Sequence, residues 1–228
     1  MAYGEGSVRS RGADGRGMEK YPVWVRVGFW GCVAVAIAAV LRRAIALLGA
    51  PSQGAPLQLA TLDAFFRNHA TVTWIHILCA LVYVALLPFV FWRRTRGSRG
   101  LERVFFVLGF AVGITAYAMT TYAVGGWIER SAVLVFNTLF VVSMLRAFVL
   151  RRQGDDAAKR RWMVRAVAIL LGIATTRPVM GVFFATARVT HLTPHQFFGV
   201  AFWIGFSINT LVIELWLRHR GPEAGRML

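Results

Sequence analysis

Acidic side chains are scarce in this chain: ten Asp and Glu stand against 26 Lys and Arg, and of those 26 only Lys20 and Lys159 are lysines. Cysteine is scarcer still. Cys32 and Cys79 both fall inside apolar runs, make no metal-ligand spacing, and read as small core residues rather than a disulfide framework. The acids Asp63, Glu129 and Glu214 are isolated along the chain, so neither carboxylate nor thiolate joins the histidines to make a site for a hard or thiophilic metal. No P-loop, no dinucleotide fingerprint and no nucleophile constellation is present. No metal site and no catalytic residue can be named, and nothing marks the chain as an enzyme.

What is abundant is apolar length punctuated by arginine. Of 228 residues 57% are hydrophobic, yet the formal charge is +16. That mixture belongs to a multi-span membrane protein. A nucleic-acid binder would need a basic patch on a soluble fold, whereas nearly every arginine here flanks an uncharged run of about the 20 residues that cross a bilayer. The fold class expected is all-α, a polytopic membrane bundle of about six helices: Val23–Leu48, Ala70–Trp92, Val104–Ile128, Ser131–Leu150, Ala166–Ala187 and His195–Leu217. Residues 1–22 form a basic, disordered N-terminal segment, residues 23–218 the bundle, and residues 219–228 a short cytoplasmic tail. The first run has a basic lead but no A-x-A-like cleavage site, and reads as an uncleaved helix. Residues 62–66 form a short amphipathic piece at the interface.

Basic residues accumulate in cytoplasmic loops. Nineteen of them flank one set of helix ends and five (Arg42, Arg43, Arg67, Arg130 and Arg188) the other, which places both termini inside. Arg146 can snorkel to the inner surface, and Arg42-Arg43 is the one misfit.

Arg177 is the most informative residue, because an arginine inside a membrane helix costs about 2.5–3.5 kcal/mol on insertion scales and needs a partner or a wet cavity. Pro178 beside it has no N–H for the Ala174 carbonyl, and the hydroxyls of Thr175 and Thr176 stand near enough to re-satisfy it. Counting about 1.5 Å per residue from the outer surface brings His76, Thr120, Thr121, Asn137 and Arg177 to similar depth, with Asn209 somewhat deeper. Shared depth on several helices points to an outward-facing polar cavity whose ligand-binding residues are His76, Asn137, Arg177 and Asn209. Asn209 and Asn137 are the expected partners of Arg177, with His76 reached through water. A b-type haem would want two axial ligands on facing helices, and His76 has no histidine at its own level. Any cofactor is thus unidentified, haem being weakly supported. At the inner surface, Arg160, Arg161, Trp162 and Arg165 form a basic aromatic shoulder suited to anionic lipid headgroups.

The segments WIHILCALVYVALLPFVF, LERVFFVLG, KRRWMVRAVAILLGIATTRPV and FWIGFSINTLVIELWLR carry a resemblance. Over roughly residues 65–218 the chain resembles a family of bacterial predicted multi-pass membrane proteins classified as a domain of unknown function. His76, Arg160, Arg161, Trp162, Met163, Arg165, Arg177, Asn209 and Glu214 stand at the motif positions of that pattern. Glu102 and Lys159 stand where the pattern has histidines, so a metal, haem or proton relay built on those histidines is lost here. The resemblance implies the bacterial cytoplasmic membrane.

Three functions are compatible with these residues: binding or transport of a small ligand through the outward polar cavity, a non-catalytic accessory or assembly protein, and a membrane redox subunit holding b-type haem or quinone. Expected partners are membrane lipids, anionic on the cytoplasmic face, with an oligomer or partner subunit conceivable and nucleic acid not. Topology is directly checkable: a cysteine placed at Gly154 is expected to label only from the cytoplasm and one at Thr190 only from outside. Labelling of position 154 from outside would remove the six-span arrangement.

Overall fold

A computed structural model of the protein describes residues 22–48, 69–91 and 98–219. The expectations for the N-terminal segment before residue 22, for the interfacial piece at 62–66 and for the tail beyond residue 219 lie outside the described residues. Those described form α1 (Val23–Leu48), α2 (Ala70–Phe91), α3 (Arg99–Met119), a 3-10 turn (Thr120–Tyr122), α4 (Gly126–Gln153), α5 (Asp156–Thr190) and α6 (Pro194–His219). All six helices, α3 counted with its 3-10 turn, are long and apolar enough to cross a membrane. In lipid a spanning segment must satisfy its own backbone, which is why each apolar run becomes a helix.

Outside the first span most helix ends shift by up to several residues, and the two largest changes from the sequence reading each have a local reason. The third and fourth spans divide at Thr120–Tyr122, not after Ile128. The Thr120 and Thr121 hydroxyls donate back to the Tyr117 and Ala118 carbonyls at 2.7 and 2.8 Å, and Gly126 turns the chain at φ 60. Apolar Trp127 and Ile128 belong to the next helix and hide that break. The fifth span begins at Asp156, ten residues before Ala166. Asp155 caps it by accepting the Ala158 N–H at 2.9 Å, and Lys and Arg in the shoulder are good helix formers. At 35 residues α5 is about 52 Å long, more than the about 40–45 Å of a bilayer with its headgroups.

With helices alternating in direction, the starts of α1, α3 and α5 share one end of the bundle with the ends of α2, α4 and α6. Most arginines lie there, and it is called the basic end below. Helix α5 is the centre of the packing, against α4, α6 and α1, while α2 joins α3 to α1. The apolar core near the basic end is built on Tyr83, Phe105 and Phe140, all fully buried. Tyr83 stacks on Phe105 at 4.9 Å and its hydroxyl donates to Met144 Sδ at 3.6 Å.

Between helices already surrounded by hydrocarbon the hydrophobic effect offers little, and close packing over small residues takes its place. A Cβ on Gly205 would stand 2.6 Å from the backbone nitrogen of Thr176, and one on Gly172 would stand 2.9 Å from Cα of Phe206, so α5 and α6 meet backbone to backbone. Gly125 and Gly199 do the same for the starts of α4 and α6. Gly205→Ala is expected to lower the thermal stability of the detergent-solubilised protein by about 1–3 kcal/mol, the range of overpacking. Gly181→Ala, whose Cβ meets nothing within 4 Å, is the matched control and should leave the melt unchanged or raise it, since Ala is the better helix former.

Candidate functional site

Toward the end of the bundle opposite the basic end, all six helices surround one cavity of ≈ 250 Å³. Each helix turns a regular stripe toward it. On α4 the stripe is Glu129, Val133, Phe136, Asn137 and Phe140; on α5 it is Ile169, Leu170, Ile173 and Arg177. On α6 it is the ladder Phe198, Phe202 and Phe206, whose neighbouring rings lie 6.2 and 5.9 Å apart. Steps of three and four residues are those that repeat on one helix face. The walls are mostly apolar, and the polar groups converging on them are few: Arg43, Thr73, His76, Thr120, Tyr122, Glu129, Asn137 and Arg177.

His76, Asn137 and Arg177 therefore line one space, and Asn209 does not. Thr175 Oγ1 donates to Asn209 Oδ1 at 2.7 Å, and Asn209 Nδ2 donates to the Ala168 carbonyl at 3.2 Å. Asn209 lines a separate apolar crevice between α1, α5 and α6, where Cys32 Sγ stands 3.9 Å from Thr175 Oγ1. Asn209 thus ties α6 to α5, on the side of α5 away from the cavity, and is not the partner of Arg177. Nor is Asn137, whose Nδ2 donates to the Gly113 carbonyl on α3 at 2.9 Å. Thr175 and Thr176 do not serve the Ala174 carbonyl either, because Thr176 donates to the Ile173 carbonyl at 2.6 Å and Thr175 to Asn209.

His76 is held by α3. Its Nδ1 lies 2.9 Å from Thr115 Oγ1, and that hydroxyl lies 2.8 Å from the Ala111 carbonyl. A hydroxyl has one proton. With that proton on the carbonyl, Thr115 accepts from Nδ1–H, and the neutral imidazole keeps its lone pair on Nε2.

Glu129 and Arg43 were not among the residues picked from the sequence. Glu129 is 8% exposed, accepts the Gly125 N–H at 2.6 Å, and shares the cavity with the oppositely charged Arg177. Isolation along the chain misled: Glu129 sits two helical turns from Asn137 on the same face, a spacing that would have found it. Glu214, also isolated in sequence, is held by Arg165 at 2.8 and 3.2 Å and by Arg218 at 3.2 Å. Arg43, one of the basic pair that is the misfit in the split of charges, has its side chain in the cavity wall. Two polar atoms here, Arg177 Nε and the Tyr122 hydroxyl, are buried with no hydrogen-bond partner among the described residues. Buried polar groups are ordinarily bonded, and each exception calls for an account.

The basic shoulder is dispersed by the turn of the helix. Arg165 forks onto Glu214 and stacks over Trp162 at 4.7 Å, whereas Arg160 enters a different cleft among α2, α3, α4 and α5. Among the described residues no three of His, Cys, Asp and Glu come together as metal ligands.

A family model described as "Predicted membrane protein (DUF2306)" matches residues 73–217, from the first turn of α2 almost to the end of α6. No curated protein and no solved structure matches.

The His76–Thr115 tie is testable by stability. Thr115→Val leaves the Nδ1–H unsatisfied and is expected to cost about 1–3 kcal/mol. His76→Phe together with Thr115→Val should cost less than the sum of the two single changes in thermal denaturation. Strict additivity would show that the two side chains do not interact.

Proposed function

The chain belongs to this family of predicted membrane proteins, and from that premise we propose that its cavity binds a small ligand with an apolar body and a single acceptor-bearing head, a carbonyl or an anion, taken up by Arg177. The observation that carries this is the buried, unpartnered Nε of Arg177 beside the equally unpartnered Tyr122 hydroxyl in one mostly apolar space. Binding pockets are built this way, apolar walls with a few polar groups that fix orientation. The ≈ 250 Å³ volume is below the about 300–1,000 Å³ of drug-sized sites, so the ligand is small. A guanidinium suits a carbonyl or anionic head because it stays charged and presents five donors in a rigid fork. Glu129 opposes its charge within the cavity, which limits what Arg177 alone costs in the membrane. A bis-histidine haem is a poorer fit, since among the described residues His76 is the one histidine in the lining. The excess of basic residues at the opposite end supports a cavity that opens toward the outer face of a bacterial cytoplasmic membrane, with both termini inside. Binding or carriage of the ligand from that face is the function proposed.

Arg177→Leu and Arg177→Lys, compared with wild type, separate this from a purely structural role. A site arginine predicts that the Leu protein folds and inserts but loses the copurified small molecule in native mass spectrometry, with Lys restoring it in part because a point ammonium lacks the planar fork. An arginine that only braces the bundle predicts a Leu protein as stable as wild type or more so, since a buried charge and its desolvation go together. Full ligand retention in a well-folded Leu variant would remove the proposal, and an ultraviolet and visible spectrum on the same samples reports any quinone or haem.

A further inference from the structure

At the basic end lies a larger space, a cleft of ≈ 740 Å³ between the end of α2, the start of α3, the end of α4 and the start of α5. Six cationic side chains line it: Arg99, Arg103, Arg151, Arg152, Lys159 and Arg160. Two carboxylates oppose them. Glu102 is shared, with Oε2 3.0 Å from Arg151 Nε and Oε1 2.9 Å from Lys159 Nζ, and Asp156 also holds Lys159, at 2.6 Å. Both acids are thus engaged by Arg151 and Lys159. Arg99, Arg103 and Arg152 line the same cleft, with no further carboxylate among the described residues of its wall.

The cations are built in at two levels. Lys159 and Arg160 form the base and are only 7% and 8% exposed, so their charge sits where water screens it least. Arg99, Arg103 and Arg152 are exposed at the rim. Arg152 is held over the Phe148 ring at 4.9 Å, and Arg151 donates through Nη2 to the Arg99 carbonyl at 3.4 Å, so both guanidinium groups are oriented before any ligand arrives. The start of α3 opens here, which adds the positive end of a helix dipole. Below the cations the wall turns apolar, with Val90, Phe91, Leu101 and Met163. Depth agrees: Lys159 lies 18 residues, about 27 Å, along α5 from Arg177, on the turns by which α5 outruns the hydrocarbon.

We propose that this cleft is a binding site for a phosphate group, held by the guanidinium forks of Arg99, Arg103 and Arg152 over the buried ammonium of Lys159. Planar forks match phosphate oxygens two at a time, and six cations over two engaged carboxylates leave a positive site for one or two negative charges. The phosphate is carried either by an anionic lipid headgroup, whose acyl chains would follow the apolar wall, or by a soluble molecule. The site is separate from the outer cavity and shares no lining residue with it.

The full chain, purified in neutral detergent and stripped of lipid, is offered mixed micelles of phosphatidylglycerol and phosphatidylcholine and read by native mass spectrometry. In parallel it is titrated with inorganic phosphate by calorimetry. One variant carries Arg99→Gln, Arg103→Gln and Arg152→Gln. A control of equal charge carries Arg26→Gln, Arg146→Gln and Arg218→Gln, which lie outside the cleft toward the same end and are exposed. Wild type is expected to retain phosphatidylglycerol over phosphatidylcholine, the cleft variant to lose about tenfold or more of that retention, and the control to keep it. Retention of phosphatidylglycerol without phosphate binding assigns the site to a lipid headgroup. Saturable phosphate binding, lost in the cleft variant, assigns it to a soluble phosphate. Equal losses in the two variants would reduce the effect to diffuse surface charge and overturn the site, as would equal retention of both lipids with no phosphate binding by wild type. Because the changed residues are exposed, a melt matching wild type certifies that each variant is folded.

Discussion

The backbone of α6 at Gly205 lies so close to that of α5 at Thr176 that no Cβ fits between them, and the polar interior is arranged around this contact. Successive residues of a helix point about 100° apart. Once Thr176 is pressed against α6, Thr175 must turn to one side and Arg177 to the other. Thr175 meets Asn209 and Cys32; Arg177 meets the cavity shared with Glu129, His76 and Asn137. In lipid this close approach does what burial from water does in a soluble core. The Asn209 bonds to Thr175 and to the Ala168 carbonyl and the Arg165–Glu214 fork repeat the α5–α6 tie along the helices.

The spans were legible in the sequence because their signal is length, and length depends on no neighbour. Val23–Leu48 was read to the residue. The division between the third and fourth spans was not, because it rests on two threonine hydroxyls bonding backward and one glycine with positive φ, set among residues as apolar as the spans. The polar site was legible in depth but not in phase. Counting residues put Asn209 near the level of Arg177, but a count says nothing about the side of the helix on which each lies. The stripe Glu129, Val133, Asn137 carried phase information, and Glu129 was passed over because no other charge of either kind but Arg130 stands near it in the chain.

Glu102 and Lys159 are 57 residues apart in sequence and 2.9 Å apart in space. At touching positions the carboxylate and the ammonium neutralise each other. That is why so buried a lysine is tolerated at the basic end, and why Arg151, also on Glu102, completes a fixed network.

The triplet Thr175, Thr176, Arg177 sends three neighbouring side chains to three different destinations: an asparagine on α6, a helix backbone and an internal space. Its integrity is therefore a matter of angular register more than of residue identity. A conservative replacement disturbs one destination. Insertion or deletion of a single residue between Gly172 and Thr175 rotates all three by about 100° at once, swinging the guanidinium out of the cavity. Descendants of this chain can drift by substitution through this stretch, but its length between the glycine contacts is closed to change.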